Sequence, residues 1–88
     1  MTKPHWKTFE WDNADKKNGN VQHLRDHDIE PDEAEECFFH DFLFSRDDRR
    51  LDNVYVLDGR TDRGRKLRLV LQDKDNGLVR VFTGWDLD

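Results

Sequence analysis

Three apolar segments separated by two glycine-containing turns fill residues 54–85, and no other feature of the chain constrains the fold as strongly. The segments read VYVLDGR (54–60), KLRLVLQD (66–73) and LVRVFTGW (78–85). Gly64 in the first connection stands where a hairpin needs a positive φ, and Asn76-Gly77 in the second is typical of a tight hairpin turn. We therefore expect three consecutive antiparallel strands.

Alternation along these strands assigns their side chains to two faces, because successive residues of a strand point in opposite directions. Leu67, Leu69 and Leu71 share one face, which we expect to form the core with Val79 and Val81 of the last strand. The opposite face then carries mostly polar and charged side chains: Lys66, Arg68, Val70 and Gln72 on one strand, and Arg80 and Phe82 on the next.

A sheet face that carries arginines, a lysine and an aromatic ring is typical of RNA-binding surfaces. Guanidinium groups pair bidentately with phosphate, and aromatic rings stack on bases. The alternative is that the face is polar only because antiparallel sheets commonly turn one side to water. Spacing alone leaves both interpretations open.

The first half of the chain predicts two helices between short strands. Asp12 suits a helix N-cap because its carboxylate can accept a backbone N–H, and Pro31 followed by acidic residues suits a first helical turn. The expected elements are a strand at 7–11, helices at 13–27 and 31–39, a strand at 42–46 and a polar loop at 47–53. The prediction is an α+β domain of order β-α-α-β-β-β-β, with two N-terminal helices packed on one face of a curved antiparallel sheet.

Length and composition indicate one small intracellular domain. The 88 residues suffice for a single domain, 1–88, with a small core. The single cysteine, Cys37, excludes an intrachain disulfide and a cysteine zinc cluster, and it fits a reducing compartment. No apolar run approaches the roughly 20 residues of a membrane span, and the N-terminus lacks the apolar stretch of a signal peptide. We expect a cytoplasmic protein that makes no contact with membranes.

Charge is distributed in blocks along the chain. Residues 26–48 carry ten acidic residues and one basic residue, whereas residues 59–70, GRTDRGRKLRLV, carry five basic residues in a chain of net charge −5. Such asymmetry suggests two faces with different partners. The alternative is that the blocks neutralise one another in the folded protein.

Residues 9–39, FEWDNADKKNGNVQHLRDHDIEPDEAEECFF, resemble the N-terminal signature of the BrnT family of bacterial toxins. In that family an aromatic-Trp-Asp strand end leads into a helix, and an acidic second helix follows. GRTDRGRKLRLVL (59–71) and GLVRVFTGWD (77–86) are similar to its middle and last strands, where a Gly-Arg-x-x-x-Gly-Arg hairpin precedes an arginine-containing strand. The resemblance covers nearly the whole chain and lies in the order and spacing of these motifs.

The resemblance implies a RelE-like fold and an endoribonuclease that uses neither metal nor cofactor. BrnT proteins are the toxins of type II toxin–antitoxin systems, and a DNA-binding antitoxin, expected here to be of the ribbon-helix-helix type, neutralises each of them. RNA would be the substrate, and operator DNA would be a partner only through the antitoxin. In such ribonucleases a basic or imidazole group takes the proton of the 2′-hydroxyl, and cationic side chains stabilise the charge of the transition state.

Candidate site residues follow from the resemblance together with the open sheet face. The residues expected to be catalytic are Arg68, Arg80 and His27. The residues expected to bind RNA are Arg60, Arg65, Lys66 and Phe82. Neither the resemblance nor the alternation assigns an individual chemical step to any one of them.

The sequence departs from the family pattern in three respects. Asp28 stands at the end of the first helix where the family usually has glycine, which serves there as a left-handed C-cap. The sequence ends at Asp88, where many relatives continue with a short segment bearing Arg, Glu and often Tyr, and a catalytic group from that segment would be missing. The net acidity is unusual for a protein that binds RNA, because RNA affinity comes largely from phosphate neutralisation.

These departures keep two other functions open. One is a catalytically inactive BrnT-like protein that acts as a protein-binding module or co-repressor. The other is a stand-alone nucleic-acid-binding domain.

Four further features of the sequence are interpreted as structural rather than as catalytic or binding sites. His23 and His27 have a spacing that can bind zinc, but the glutamate of the zinc-protease motif is absent, so we expect no metal site. Cys37 falls on the apolar stripe of the second helix and is expected to be a core residue. The acidic run 26–48 is interpreted as a solvated helix face. Trp11 and Trp85 end the first and last strands, where packing is expected rather than base stacking.

Overall fold

Over the residues that the structure describes, the chain folds into five strands and two short helices in the predicted order. The elements are β1 (Thr8–Phe9), α1 (Asn20–Arg25), α2 (Pro31–Glu36), β2 (Leu43–Arg46), β3 (Val54–Arg60), β4 (Lys66–Asp73) and β5 (Leu78–Asp86). This computed structural model describes residues 4–47 and 52–87, so part of the loop predicted at 47–53 lies outside the described residues. The result is an α+β domain.

The central meander agrees with the prediction. β3 and β4 begin and end where the apolar segments do, and they pair antiparallel from Val54 opposite Gln72 to Arg60 opposite Lys66. Gly64 in the β3–β4 turn has φ 89°, and Gly77 in the β4–β5 turn has φ 83°. Both glycines therefore occupy the left-handed backbone region that these turns need.

The sheet is mixed, which corrects the expectation of a fully antiparallel sheet. Its strand order is β1-β5-β4-β3-β2, and β1 pairs parallel with β5, with Thr8 opposite Leu78. The N–H of Glu10 continues this ladder by donating to the carbonyl of Val79, 2.8 Å away. No hairpin joins β1 to β5, because both helices and three strands lie between them in sequence. Turn chemistry therefore could not fix the direction of β1.

Both helices are shorter than predicted. α1 begins at Asn20 rather than near residue 13, and α2 ends at Glu36 rather than near residue 39. Asn18 has φ 62°, a left-handed conformation that no helix can pass through, and the residues before it form turns. Asp12 is not the N-cap, yet its carboxylate still accepts the backbone N–H of Asn20 at 3.0 Å from eight residues away. The first helix is therefore capped by a tertiary contact.

The core lies between the helices and one face of the sheet. The five side chains predicted to be there are at most 1% exposed: Leu67, Leu69, Leu71, Val79 and Val81. Leu24 of α1 and Ala34 of α2 cover them and are fully buried. Trp6, which the sequence pattern did not single out, is 5% exposed and stacks on Phe42 with ring centroids 6.1 Å apart. An aromatic cluster therefore extends the leucine and valine core.

An irregularity in β5 reverses the alternation in the second half of that strand. Val70 pairs with Thr83 and Leu71 with Val81, so Phe82 is an extra residue on β5. Gly84 consequently faces the core, where a Cβ would lie 2.6 Å from Cδ2 of Leu69. Trp85 pairs with Arg68 and shares the sheet face that the helices leave open.

Candidate nucleic-acid interface

Four residues form a basic and aromatic surface where the β3–β4 hairpin meets the end of β5. Arg60 lies opposite Lys66 in the β3–β4 ladder, and Arg68 lies opposite Trp85 in the β4–β5 ladder. Lys66 and Arg68 are two residues apart on one strand, so all four side chains project from the open face. We call this surface the hairpin patch: Arg60, Lys66, Arg68 and Trp85.

Arg68 is held in a fixed orientation by its neighbour across the sheet. Its Nε donates to Oδ1 of Asp58 at 2.7 Å and its Nη2 to Oδ2 at 2.8 Å, a bidentate pair. This pairing raises the pKa of Arg68, chiefly through the hydrogen bonds to Asp58. Nη1 makes no hydrogen bond to any residue in the described ranges, and the side chain is 41% exposed. The carboxylate therefore orients the guanidinium and leaves part of it able to contact a phosphate.

The rest of the hairpin patch carries uncompensated charge and an accessible ring. Within residues 4–47 and 52–87, the side chains of Arg60 and Lys66 make no hydrogen bond or ion pair, and both are exposed. Trp85 is 37% exposed. Two unpaired cations beside an exposed indole are the groups that bind a phosphate and an adjacent base.

A shallow cavity of about 320 Å³ adjoins Arg68 on the same face. Its walls include Leu43 and Val56, and its polar groups include Ser45 and Asp58. Leu43 is 76% exposed, which leaves an apolar surface next to the guanidinium. The open face therefore offers contacts to both the polar and the apolar parts of a ligand.

His27 lies beside the hairpin patch. It follows the end of α1, and its ring centroid is 6.4 Å from that of Trp85. The ring is exposed, so an imidazole capable of taking up or releasing a proton borders the surface. Of the residues expected to be catalytic, His27 and Arg68 are thus brought to the same end of the sheet.

Arg65 points away from the open face. Its Nε and Nη2 donate to the two carboxylate oxygens of Asp86 at 2.7 and 2.9 Å, and its Nη1 approaches Glu33 at 3.2 Å. Nη1 also donates to the carbonyl of Asp28 at 2.8 Å, and Nη2 to the carbonyl of His27 at 3.4 Å. All five N–H groups of this guanidinium are engaged within the chain. A role for Arg65 in RNA binding stays a prediction, and it would require these bonds to break.

Arg80 lies on the open face but at the far end from Arg68. It pairs with Gln72, four residues along β4 from Arg68, which is roughly 13 Å at the rise of a strand. Its guanidinium donates to Asp12 at 2.7 Å and to Glu10 at 3.2 Å, and the side chain is 22% exposed. We call Arg80 with Asp12 and Glu10 the Arg80 cluster. Its net charge is negative, so a catalytic role for Arg80 stays a prediction.

Phe82 belongs to the Arg80 end of the sheet. It lines a cavity of about 500 Å³ together with Arg80, Thr83 and His23. The bulge at this residue separates it from Trp85 along β5. Stacking of a base on Phe82 would therefore take place away from the hairpin patch.

Trp85 is the site residue that alternation missed. The sequence pattern predicted packing for it, because uninterrupted alternation does not anticipate the extra residue at Phe82. Gly84 was the available signal, since a glycine inside a strand often marks a bulge or a close approach of another chain segment. Trp11 does pack, with its Nε1 donating to Oε2 of Glu35 at 2.6 Å.

Comparisons with protein-family models, with curated proteins and with solved structures found no match to this chain. Within the ranges that the structure describes, no group of three His, Cys, Asp or Glu side chains is arranged to hold a metal ion. In the same ranges, no helix has the length and apolar content needed to cross a membrane.

Proposed function

We propose that this protein is a metal-independent endoribonuclease toxin of a type II toxin–antitoxin system, silenced by a DNA-binding antitoxin. The proposal rests on the resemblance of residues 9–86 to the BrnT family and on one structural observation. That observation is the hairpin patch, in which Arg60, Lys66 and Arg68 stand together on an open sheet face beside Trp85 and His27.

The hairpin patch supports RNA as the ligand because its charge is local. The chain as a whole carries a net charge of −5, so general attraction to RNA is weak. The patch brings three cations to one end of the open face, and the neighbouring carboxylate of Asp58 is already bound by Arg68. A phosphate placed there would meet the Nη1 of Arg68, to which no described residue is bound, and the ammonium of Lys66, and the adjoining base would meet the indole of Trp85.

In the proposed reaction, a ring nitrogen of His27 takes the proton of the ribose 2′-hydroxyl. The 2′-oxygen then attacks the phosphorus, and the bond from phosphorus to the 5′-oxygen breaks. The leaving 5′-oxygen takes up a proton from solvent. The products are a 2′,3′-cyclic phosphate and a 5′-hydroxyl end, and Arg68 and Lys66 stabilise the extra negative charge of the transition state.

The test is cleavage of a single-stranded RNA by purified protein in excess EDTA, with the product ends identified by mass spectrometry. We expect 2′,3′-cyclic phosphate ends from the wild type. Arg68→Ala should lower the cleavage rate about 10²- to 10³-fold, as the loss of one donor to the transition state does in other enzymes. His27→Ala should lower it about 10²- to 10⁴-fold.

Arg63→Ala is the matched control for the loss of one positive charge. Arg63 lies in the same hairpin, is exposed, and makes no side-chain hydrogen bond or ion pair to any described residue. This variant should cleave RNA like the wild type. Induction in a host lacking the antitoxin should arrest growth with the wild type and with Arg63→Ala, but not with Arg68→Ala. Intact RNA and normal growth with folded wild-type protein would contradict the proposal.

A second function is favoured by a separate observation. Arg65 and Arg80, two of the arginines expected to face RNA, are bound by carboxylates of the chain itself. A sheet stabilised in this way suits a catalytically inactive BrnT-like module that only binds a protein partner or acts as a co-repressor. Tight antitoxin binding by a wild-type protein that does not cleave RNA would support this alternative.

A further inference from the structure

One guanidinium connects four separate parts of the fold next to the hairpin patch. Arg65 is the last residue of the β3–β4 connection. Its side chain contacts the end of β5, the turn after α1 and the first turn of α2. The side chain is 26% exposed. Its hydrogen bond to Asp86, followed by its contact with Glu33, raises the pKa of Arg65, so the cation is permanent.

The segments that Arg65 connects carry the two rings of the candidate site. Asp86 directly follows Trp85 on β5, and the carbonyls of His27 and Asp28 belong to the turn that follows α1, two and three residues after its end. In the described part of the chain, no other side chain is hydrogen-bonded to both segments. Arg65 therefore links the segment that carries His27 to the segment that carries Trp85, and the two rings lie 6.4 Å apart.

We infer that Arg65 is the positioning residue that holds His27 against Trp85 at the edge of the hairpin patch. Arginine suits this role because its planar fork reaches two carboxylates and two carbonyls at once, which an ammonium cannot do. What His27 and Trp85 then do to RNA rests on the proposed function. The contact between the two rings does not depend on the proposed function.

The first test needs no RNA. We would measure nuclear Overhauser cross-peaks between the ring protons of His27 and Trp85 in isotopically labelled protein. Wild type and the Arg63→Met control should show them. Arg65→Met, which keeps the aliphatic stem but removes every donor, should lose them while the amide spectrum of the β3–β4 ladder stays that of the wild type.

The second test separates positioning from direct RNA contact. If Arg65 acts through His27, Arg65→Met should lower kcat on the order of 10²-fold, as small misplacements of catalytic groups do, with little change in KM. The double variant Arg65→Met/His27→Ala should then be no slower than His27→Ala alone. If Arg65 bound RNA directly, its replacement would instead raise KM, and the effect would add to the loss of activity caused by His27→Ala.

Each outcome decides one of the two ideas. Retained cross-peaks in folded Arg65→Met would overturn the positioning role, whatever happens to RNA. A wild-type protein that leaves RNA intact would overturn the proposed function, and the cross-peaks would still decide the role of Arg65. If Arg65→Met does not fold, Arg65→Lys takes its place, because lysine keeps a cation that can pair with Asp86. The Arg65→Lys variant should show weaker cross-peaks between the two rings.

Discussion

Asp28, three residues after the end of α1, adopts a left-handed backbone conformation, φ 57°. The N–H of Ile29 donates to the carbonyl of Leu24 at 3.0 Å, which is the six-to-one hydrogen bond that closes a Schellman motif. Ile29 and Leu24 are both fully buried, so the motif also has its usual apolar contact. Position 28 therefore has the conformation for which glycine is favoured, and an aspartate occupies it.

Replacing Asp28 by glycine should stabilise the protein by about 0.5–1 kcal/mol. Glycine removes the steric cost of a Cβ in the left-handed region, although it also loses more chain entropy on folding. The backbone carbonyl that accepts from Arg65 remains. The measurement is the midpoint of urea unfolding at an unchanged m-value. Asp28→Ala is the control, since it removes the carboxylate but keeps the Cβ, and it should give no gain. Equal stabilisation by both variants would contradict the steric explanation.

At the scale of elements, the Arg80 cluster joins the end of β1 to the start of α1. Asp12 accepts from Arg80, and it exchanges backbone-to-side-chain hydrogen bonds with Asn20 at 2.9 and 3.0 Å. The hydrogen bond from Arg80, followed by that from the N–H of Asn20, holds the pKa of the Asp12 carboxyl well below its usual value of 3.8. These contacts hold the loop before α1, where the sequence predicted the first turns of a longer helix.

This lowered pKa makes the stability of the protein depend on pH in the acid range. In the unfolded chain Asp12 takes up a proton at a higher pH than in the folded protein, so its stabilisation is complete above about pH 4 and is lost as the pH falls. Asp12→Asn should lower the free energy of unfolding at pH 7 and flatten its decline between about pH 4 and pH 2. Chemical unfolding at a series of pH values checks this.

Asp15→Asn provides the matched control for Asp12→Asn. Asp15 is exposed, lies in the same loop and makes no ion pair with any described residue. Its substitution changes the net charge equally and should leave the pH profile like that of the wild type. Identical profiles for Asp12→Asn and the wild type would show that the Arg80 cluster does not contribute to stability.

At the scale of the whole molecule, the charge blocks of the sequence partly neutralise one another. Glu33 and Glu35 of the acidic run bind Arg65 and the indole of Trp11, and Glu36 accepts the backbone N–H of Asp62 at 2.9 Å. Part of the acidic run therefore attaches α2 to the rest of the fold. Among the described residues, Arg60, Arg63 and Lys66 of the β3–β4 hairpin make no ion pair, so an acidic chain can present a basic surface there.

Cys37 reports on the integrity of the whole core. It is fully buried, and burial, followed by the nearby charges of Glu36 and Glu33, raises the pKa of its thiol to about 12. Because the thiolate is the reactive form, a disulfide reagent at pH 8 should label native protein at least about 100-fold more slowly than protein in denaturant. The chain has no other cysteine, so absorbance of the released thiol gives the rate directly. Equally fast labelling with and without denaturant would show that the core opens freely.

Local sequence by itself determined the meander and its buried face. Turn chemistry at Gly64 and Gly77 and the two-residue period of the leucines involve only neighbouring residues, so β3, β4 and the core of the sheet followed from them. The existence of two helices also followed, because capping residues and apolar spacing are local. Their lengths did not, since Asn18 and the contacts of Asp12 decide where α1 begins.

The tertiary structure alone decided the direction of β1, the face on which Trp85 lies and the partners of Arg65 and Arg80. β1 pairs with a strand from the other end of the chain, and Arg80 finds Asp12 across 68 residues, so no local period encodes either contact. One extra residue at Phe82 turns Trp85 toward the open face, because each residue added to a strand reverses every side chain after it. The sequence placed the basic residues on one hairpin, but only the fold separated Arg60, Lys66 and Arg68, which remain on the open face, from Arg65, which binds Asp86 and Glu33 on the other side.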